Sequence, residues 1–167
     1  MYYQFEITTK CNFNCFYCAG RAMNQKHMDF KLFKRLAESI PKNSTVWLQG
    51  EGEPTLHPQW EEIVLYVKSL GLNPFTIING SRVDEQFIRD NFKHIGVSID
   101  TVDGKEASKI GRYGLSYVLS NYEKIRDIAT VYTVDYGQDL SALKKYIGAS
   151  RHLIQKQQTK DDYLPLH

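Results

Sequence analysis

The sequence predicts an α/β fold of six successive strand–helix units, and three observations carry that prediction. Short stretches rich in β-branched and aromatic residues alternate with stretches whose apolar residues recur at helical spacing. Turn and capping residues punctuate the boundaries between them. A strand followed by a helix and another strand returns the chain to the same sheet edge, so the strands run parallel.

Residues 2–8 are dense in aromatic and β-branched side chains and form the first strand. No helical period follows until Asp29, an N-cap candidate, after which Phe30, Phe33, Leu36, Ala37 and Ile40 recur down to Pro41. Residues 45–48 form a second strand, 49–57 a loop, and Pro58 stands at the first helical position of a helix reaching Leu70 and the Gly71 stop. The pattern continues with a strand over 74–78, an Asn79-Gly80-Ser81 turn, a helix over 84–92 and a strand over 95–99. An irregular connection over 103–114 leads to a helix over 115–128. A strand over 129–134, a helix over 140–147 and a weaker strand over 152–155 complete the series. Tyr2, Phe5, Phe33, Phe75 and Phe92 are expected in the core.

A chain of 167 residues with 42% hydrophobic content is expected to form a single domain over 1–167, with a tail lacking periodicity from about residue 157. The formal charge of +2 points neither to nucleic acid nor to a lipid surface. No apolar run approaches the ~20 residues of a membrane span, and no basic segment leading into an apolar one precedes the first strand. The expectation is a cytoplasmic protein.

All three cysteines lie in Cys11-Asn-Phe-Asn-Cys15-Phe-Tyr-Cys18, immediately after the first strand. Thiolates at such short spacing suit a soft metal centre. Zinc would need a fourth ligand, for which His27 is the nearby candidate. A four-iron cluster on three thiolates would instead leave one iron free for an outside molecule. Three ordinary buried cysteines are the remaining alternative.

The Cys11-x3-Cys15-x2-Cys18 motif, with aromatic Tyr17 before the third cysteine, resembles the signature of the radical S-adenosylmethionine (radical SAM) enzymes. The resemblance implies a partial (β/α)6 barrel of the radical SAM type, a [4Fe-4S] cluster and S-adenosyl-L-methionine (SAM) as cofactors, and Cys11, Cys15 and Cys18 as cluster ligands. It further implies reductive cleavage of SAM to a deoxyadenosyl radical that abstracts hydrogen from a small-molecule or peptide substrate. An electron donor such as flavodoxin or ferredoxin is implied as a partner. An activase that makes a glycyl radical on a partner enzyme, and a non-catalytic iron–sulfur or zinc module, are the alternatives. The cysteine count leaves no thiol for auxiliary clusters or for a hydrogen-donating cysteine.

In β/α folds functional groups gather at the carboxyl ends of the strands, and the remaining candidates lie there. Gln49-Gly50-Glu51-Gly52-Glu53-Pro54 resembles the family's Gly-Gly-Glu-Pro motif, with Glu51 where the commoner pattern has its first glycine. Gly52 and Glu53 are then expected at the amino group of the cofactor's methionine. Asn79-Gly80 resembles the family's Thr-Asn-Gly. Ser98 and Asp100 alternate onto one face, where they either hold the cofactor's ribose or cap the following loop. Arg112 is a candidate for the methionine carboxylate, and Tyr17 completes the cofactor set. Arg21 is a candidate brace of the cysteine loop, and Gln49, Asp135, Gln155 and Lys156 are positioned to face substrate.

Overall fold

The computed structural model describes residues 1–157 apart from the side chain of Arg21, so the expected tail lies outside the described residues. The strands are β1 (Tyr2–Gln4), β2 (Thr45–Trp47), β3 (Asn73–Phe75), β4 (Ile77–Ile78), β5 (Ile95–Ser98), β6 (Ala129–Asp135) and β7 (Arg151–Lys156). The helices are α1 (Phe30–Ala37), α2 (Trp60–Ser69), α3 (Glu85–Asn91), α4 (Gly104–Ile110), α5 (Leu115–Ile125) and α6 (Ser141–Ile147).

Every strand pair is parallel, in the orders β1-β2-β3 and β4-β5-β6-β7. β3 and β4 are one strand interrupted at Thr76, whose hydroxyl donates to the Leu48 carbonyl at 2.8 Å. The Thr76 carbonyl accepts from Gly96 N, so the sheet continues across the break. Spatial order therefore follows sequence order, and β1 and β7 do not pair. The result is a parallel α/β partial barrel that stays open.

Strand alternation sorts the two faces. Val46, Val97 and Val131 are fully buried against the helical layer, which contributes Phe33, Ile63, Ile125 and Leu143. Their neighbours Trp47, Ser98 and Tyr132 point to the opposite, concave face and are half-buried. Tyr2 follows the same parity: it is 75% exposed and packs edge-on against Trp47 on that open face, so it is not a core residue. Phe33 and Phe92 are in the core, and Phe5 and Phe75 are partly buried.

Several boundaries differ from the sequence reading: β1 covers Tyr2–Gln4 and not residues 2–8, the strand over 74–78 is split into β3 and β4, and α5 ends at Ile125. The connection over 103–114 contains α4, capped by the Asp103 carboxylate accepting from Glu106 N at 2.8 Å and ended by Gly111 at φ 96°. It buries only Ala107 and Ile110, too few apolar positions to show a period, although the Asp103-x-x-Glu106 cap was readable. α2 starts at Trp60, not at Pro58. Pro54 opens a one-turn 3-10 helix, and His57 organises the second start: its Nδ1 accepts from Gln59 N at 3.0 Å while its Nε2 donates to the Met28 carbonyl at 2.9 Å.

Candidate active site

The cysteine loop leaves the end of β1 and is clamped from two sides. Asn14 N and Phe16 N donate to the Gly111 and Ile110 carbonyls at the end of α4. A Cβ on Gly111 would lie 2.2 Å from the Asn14 oxygen, so glycine is required there both for its positive φ and for the contact. Cys11, Cys15 and Cys18 then line one cleft of about 270 Å³ with Thr9, Gly20 and Glu51. Cys11 and Cys18 are half-buried and Cys15 is buried.

Burial raises the Cys11 thiol above its ordinary value, and it pushes the Cys18 thiol up to about 12 with help from the Glu51 carboxylate. Metal binding has to remove those protons. Phe13 N, at 3.4 Å, and the Asn79 side-chain amide, at 3.8 Å, donate to Cys11 Sγ and would favour its thiolate. Among the described residues no three His, Cys, Asp or Glu side chains are grouped to hold a single metal ion. Zinc would draw its ligands to within about 2.0–2.3 Å of one point. A four-iron cluster takes each thiolate on a different iron, which suits sulfurs that share a cleft without converging. His27 sits elsewhere, opposite Thr8 in a β-bridge and edge-on to His57 at 5.1 Å, so it is not placed as a fourth ligand.

Beside the cysteines, the Gln49 to Glu53 segment runs from the end of β2. Gly52 is pressed on the backbone that follows β1, where a Cβ would lie 2.2 Å from the Thr8 oxygen. This glycine is demanded by protein backbone. Glu53 is 2% exposed, and its Oε1 accepts from Thr55 N at 3.1 Å and Thr55 Oγ1 at 2.6 Å. Its Oε2 accepts from Asn79 N at 2.6 Å, joining this loop to the β4 end. A carboxylate oxygen accepts about two hydrogen bonds, so Oε2 retains capacity for one more donor. Burial raises the Glu53 pKa, and a cation beside it would offset that cost. Asn79 is itself held by Ser81 N at 2.9 Å and by Asn12 at 2.9 Å.

Tyr17, Ser98, Asp100 and Arg112 come together as one network. Asp100 Oδ2 takes the Tyr17 hydroxyl and lies 2.9 Å from Arg112 Nε, while Oδ1 accepts from Val134 N at 2.8 Å. Arg112 donates to the Ser98 carbonyl and to Ser98 Oγ, both at 2.7 Å. Burial works against the guanidinium charge, but Asp100 more than restores it, so its pKa stays above the ordinary value. Burial keeps Tyr17 protonated. These four side chains brace the cysteine loop against the ends of β5 and β6, and in this structure they satisfy one another.

Three contributors were not singled out by sequence. Glu51 stands where the motif usually has glycine, and its carboxylate accepts from Gly20 N and from the Cys18 thiol, both at 3.3 Å. Once ionised, Cys18 would no longer donate to Glu51 and would repel its carboxylate. Tyr136, just past β6, stacks on Tyr17 at 5.8 Å, and Phe16 meets both rings edge-on. Its place at a strand end was the available signal. Glu6 accepts from Glu51 N at 2.7 Å and so supports the glycine loop from below. Asp135 caps its own turn through Gly137 N, while Gln155 and Lys156 lie exposed on β7.

The comparisons with known proteins agree with this geometry. An S-adenosylmethionine-dependent nucleotide dehydratase of Psychrobacter lutiphocae is 29% identical over 150 residues, covering 78% of this chain and 50% of that protein. A GTP 3',8-cyclase of Marinobacter nauticus is 29% identical over 137 residues, covering 75% and 41%. Streptococcus suis SuiB bound to S-adenosylmethionine superposes with a TM-score of 0.75 at 11% identity, over 95% of this chain and 41% of that one. The chain thus spans half or less of the length of these relatives. Enzymes of this kind use a [4Fe-4S] cluster and SAM. With the radical SAM superfamily model matching residues 5–143, the chain belongs to that superfamily.

Proposed function

We propose that Cys11, Cys15 and Cys18 hold a [4Fe-4S] cluster with one iron left for SAM, and that the resulting radical acts on a nucleotide. The observation that carries the first part is the cleft itself, which all three cysteines line without a His among the described residues. The second part draws on the relatives named nucleotide dehydratase and GTP 3',8-cyclase. When bound, the cluster and SAM supply a one-electron cleavage of a carbon–sulfur bond, giving methionine and a deoxyadenosyl radical that removes a hydrogen atom from substrate.

The chain's own residues do the holding. Glu53 offers its remaining Oε2 acceptor site to the SAM ammonium, and Gly52 keeps that loop tight against the Thr8 backbone. The Tyr17–Asp100–Arg112 network fixes the loop that carries the thiolates, and Ser98, bound to Arg112 at its edge, would hold the cofactor's ribose. The concave face of the sheet provides the substrate wall. A reducing, cytoplasmic setting with flavodoxin or ferredoxin as electron donor suits a cluster that must be reduced.

Anaerobic reconstitution tests the assignment. Wild type should show iron-dependent visible absorbance and form deoxyadenosine from SAM and dithionite. Each of Cys11→Ala, Cys15→Ala and Cys18→Ala should lose the absorbance. A full cluster in any one variant removes that cysteine from the ligand set, and absence of SAM cleavage by an intact cluster, with nucleoside triphosphates present, overturns the enzymatic reading.

A further inference from the structure

The concave face carries a polar group that the fold leaves unsatisfied. Gln49 lies two residues beyond Trp47, just past β2, where the Leu48 N bond to the Phe75 carbonyl keeps the chain in line and alternation continues the Trp47 face. Its Oε1 is buried and has no hydrogen-bond partner among the described residues. Gln49 lines the cleft formed by the cysteines, Glu53, Ile77, Ser98 and Arg112. Its backbone, by contrast, is engaged, the carbonyl accepting from Gln4 Nε2 at 3.3 Å. A buried amide end without a partner is costly, and in a site it marks where a ligand's polar edge belongs.

Next to it runs a row of aromatic rings. Trp47 and Phe75 lie 4.8 Å apart, Phe75 stacks on His94 at 6.3 Å and 17°, and Tyr2 covers the other side of Trp47. All four rings are solvent-accessible, since none of the described helices covers this face. A side-chain amide pairs a donor and an acceptor with the edge of a planar lactam or amino-imine, and aromatic rings take the flat face of such a group. A nucleobase has both surfaces.

We propose that Gln49 is a specificity-determining residue that reads the edge of a nucleobase placed over the Trp47–Phe75 row. This rests on the nucleotide reading above and adds to it which wall of the open barrel takes the base. The unpaired Gln49 Oε1 is an acceptor, and an ionised phosphate brings it no donor, so recognition depends on the base.

Binding is measurable without turnover. Trp47 is one of two tryptophans, and the other, Trp60, is buried against Phe92 away from this face. In the reconstituted full chain, at least one of ATP, CTP, GTP and UTP should quench tryptophan emission saturably, and inorganic triphosphate should not. Trp47→Phe should abolish the quench. Gln49→Leu should weaken affinity for that nucleotide by about tenfold or more while SAM affinity stays unchanged. The same substitution removes an unpaired buried group, so the ligand-free Gln49→Leu protein should melt at or above the wild-type temperature.

Equal nucleotide affinity in wild type and Gln49→Leu overturns the role of Gln49 and leaves the nucleotide reading standing. A loss of SAM affinity in place of nucleotide affinity assigns the amide to the cofactor and also overturns it. A clearly lower melting temperature shows that the amide is paired inside the protein, removing the premise. If no nucleotide binds wild type, the nucleotide reading itself falls, and this inference falls with it.

Discussion

Replacing Asp100 by asparagine isolates what the buried network contributes. Asparagine keeps the size of the side chain, and its carbonyl oxygen can still accept from Val134 N, so the change falls on the Oδ2 position, where an amide donor replaces the charged acceptor of the Tyr17 hydroxyl and Arg112 Nε. Asp100 is 0% exposed at its side chain and Arg112 12%, which leaves the guanidinium facing a neutral amide in a poorly solvated place. Removing one partner of a buried pair costs about 3–5 kcal/mol. Arg112 keeps both 2.7 Å bonds to Ser98, which places the expected loss at the lower end, about 3 kcal/mol. In a chain of this size each kcal/mol moves Tm by about 2–4 °C, so Tm should fall by about 6–12 °C. The assay is thermal unfolding of the metal-free protein by circular dichroism, for Asp100→Asn, Arg112→Met and the pair. The double variant should lose less than the sum of the singles by on the order of 2 kcal/mol, because both singles break the same contact. Strict additivity, or a loss below about 1 kcal/mol for Asp100→Asn, refutes the reasoning, since an exposed pair would behave that way.

Gly52→Ala should cost about 1–3 kcal/mol of stability and weaken SAM binding, because the new Cβ meets the backbone oxygen of Thr8 at 2.2 Å and backbone cannot step aside. Calorimetric titration with SAM alongside a melt checks both, and an unchanged affinity separates the loop from the cofactor. Tyr122 is fully buried with a hydroxyl that has no partner among the described residues, so Tyr122→Phe should gain about 1 kcal/mol in a denaturant titration. A loss there means that the hydroxyl is paired. Burial lowers the pKa of His94 and His152 below the ordinary 6.5, with Arg151 and Lys144 adding to the effect. As pH falls below 6.5 the unfolded chain takes up these protons first, so their contribution to stability is complete above pH 6.5 and is lost as pH falls through the folded values. Proton NMR should place both titrations below 6.5, and His94→Gln with His152→Gln should flatten the acid slope of stability. A titration at or above 6.5 reverses the sign.

The candidate site was legible where chemistry is local in sequence. Three cysteines spaced C-x3-C-x2-C declare a shared centre without any fold, and Gly52-Glu53-Pro54 at the next strand end announced its companion loop. α1 was marked by Asp29, which caps as expected, while Asp84, read only as the start of a helix, turns out to cap α3. α4 escaped because a short helix with two buried residues has no period to detect.

Spacing and periodicity by themselves settled the alternation of strands and helices and the grouping of the thiols, since both depend on neighbours a few residues apart. Tertiary structure alone decided that Tyr17, Asp100 and Arg112 hold one another, that Tyr2 faces outward, and that Gln49 is left unpaired. Those outcomes turn on which side chains meet across 12 to 83 positions of chain, and burial and pairing beyond a helical turn have no trace in local sequence.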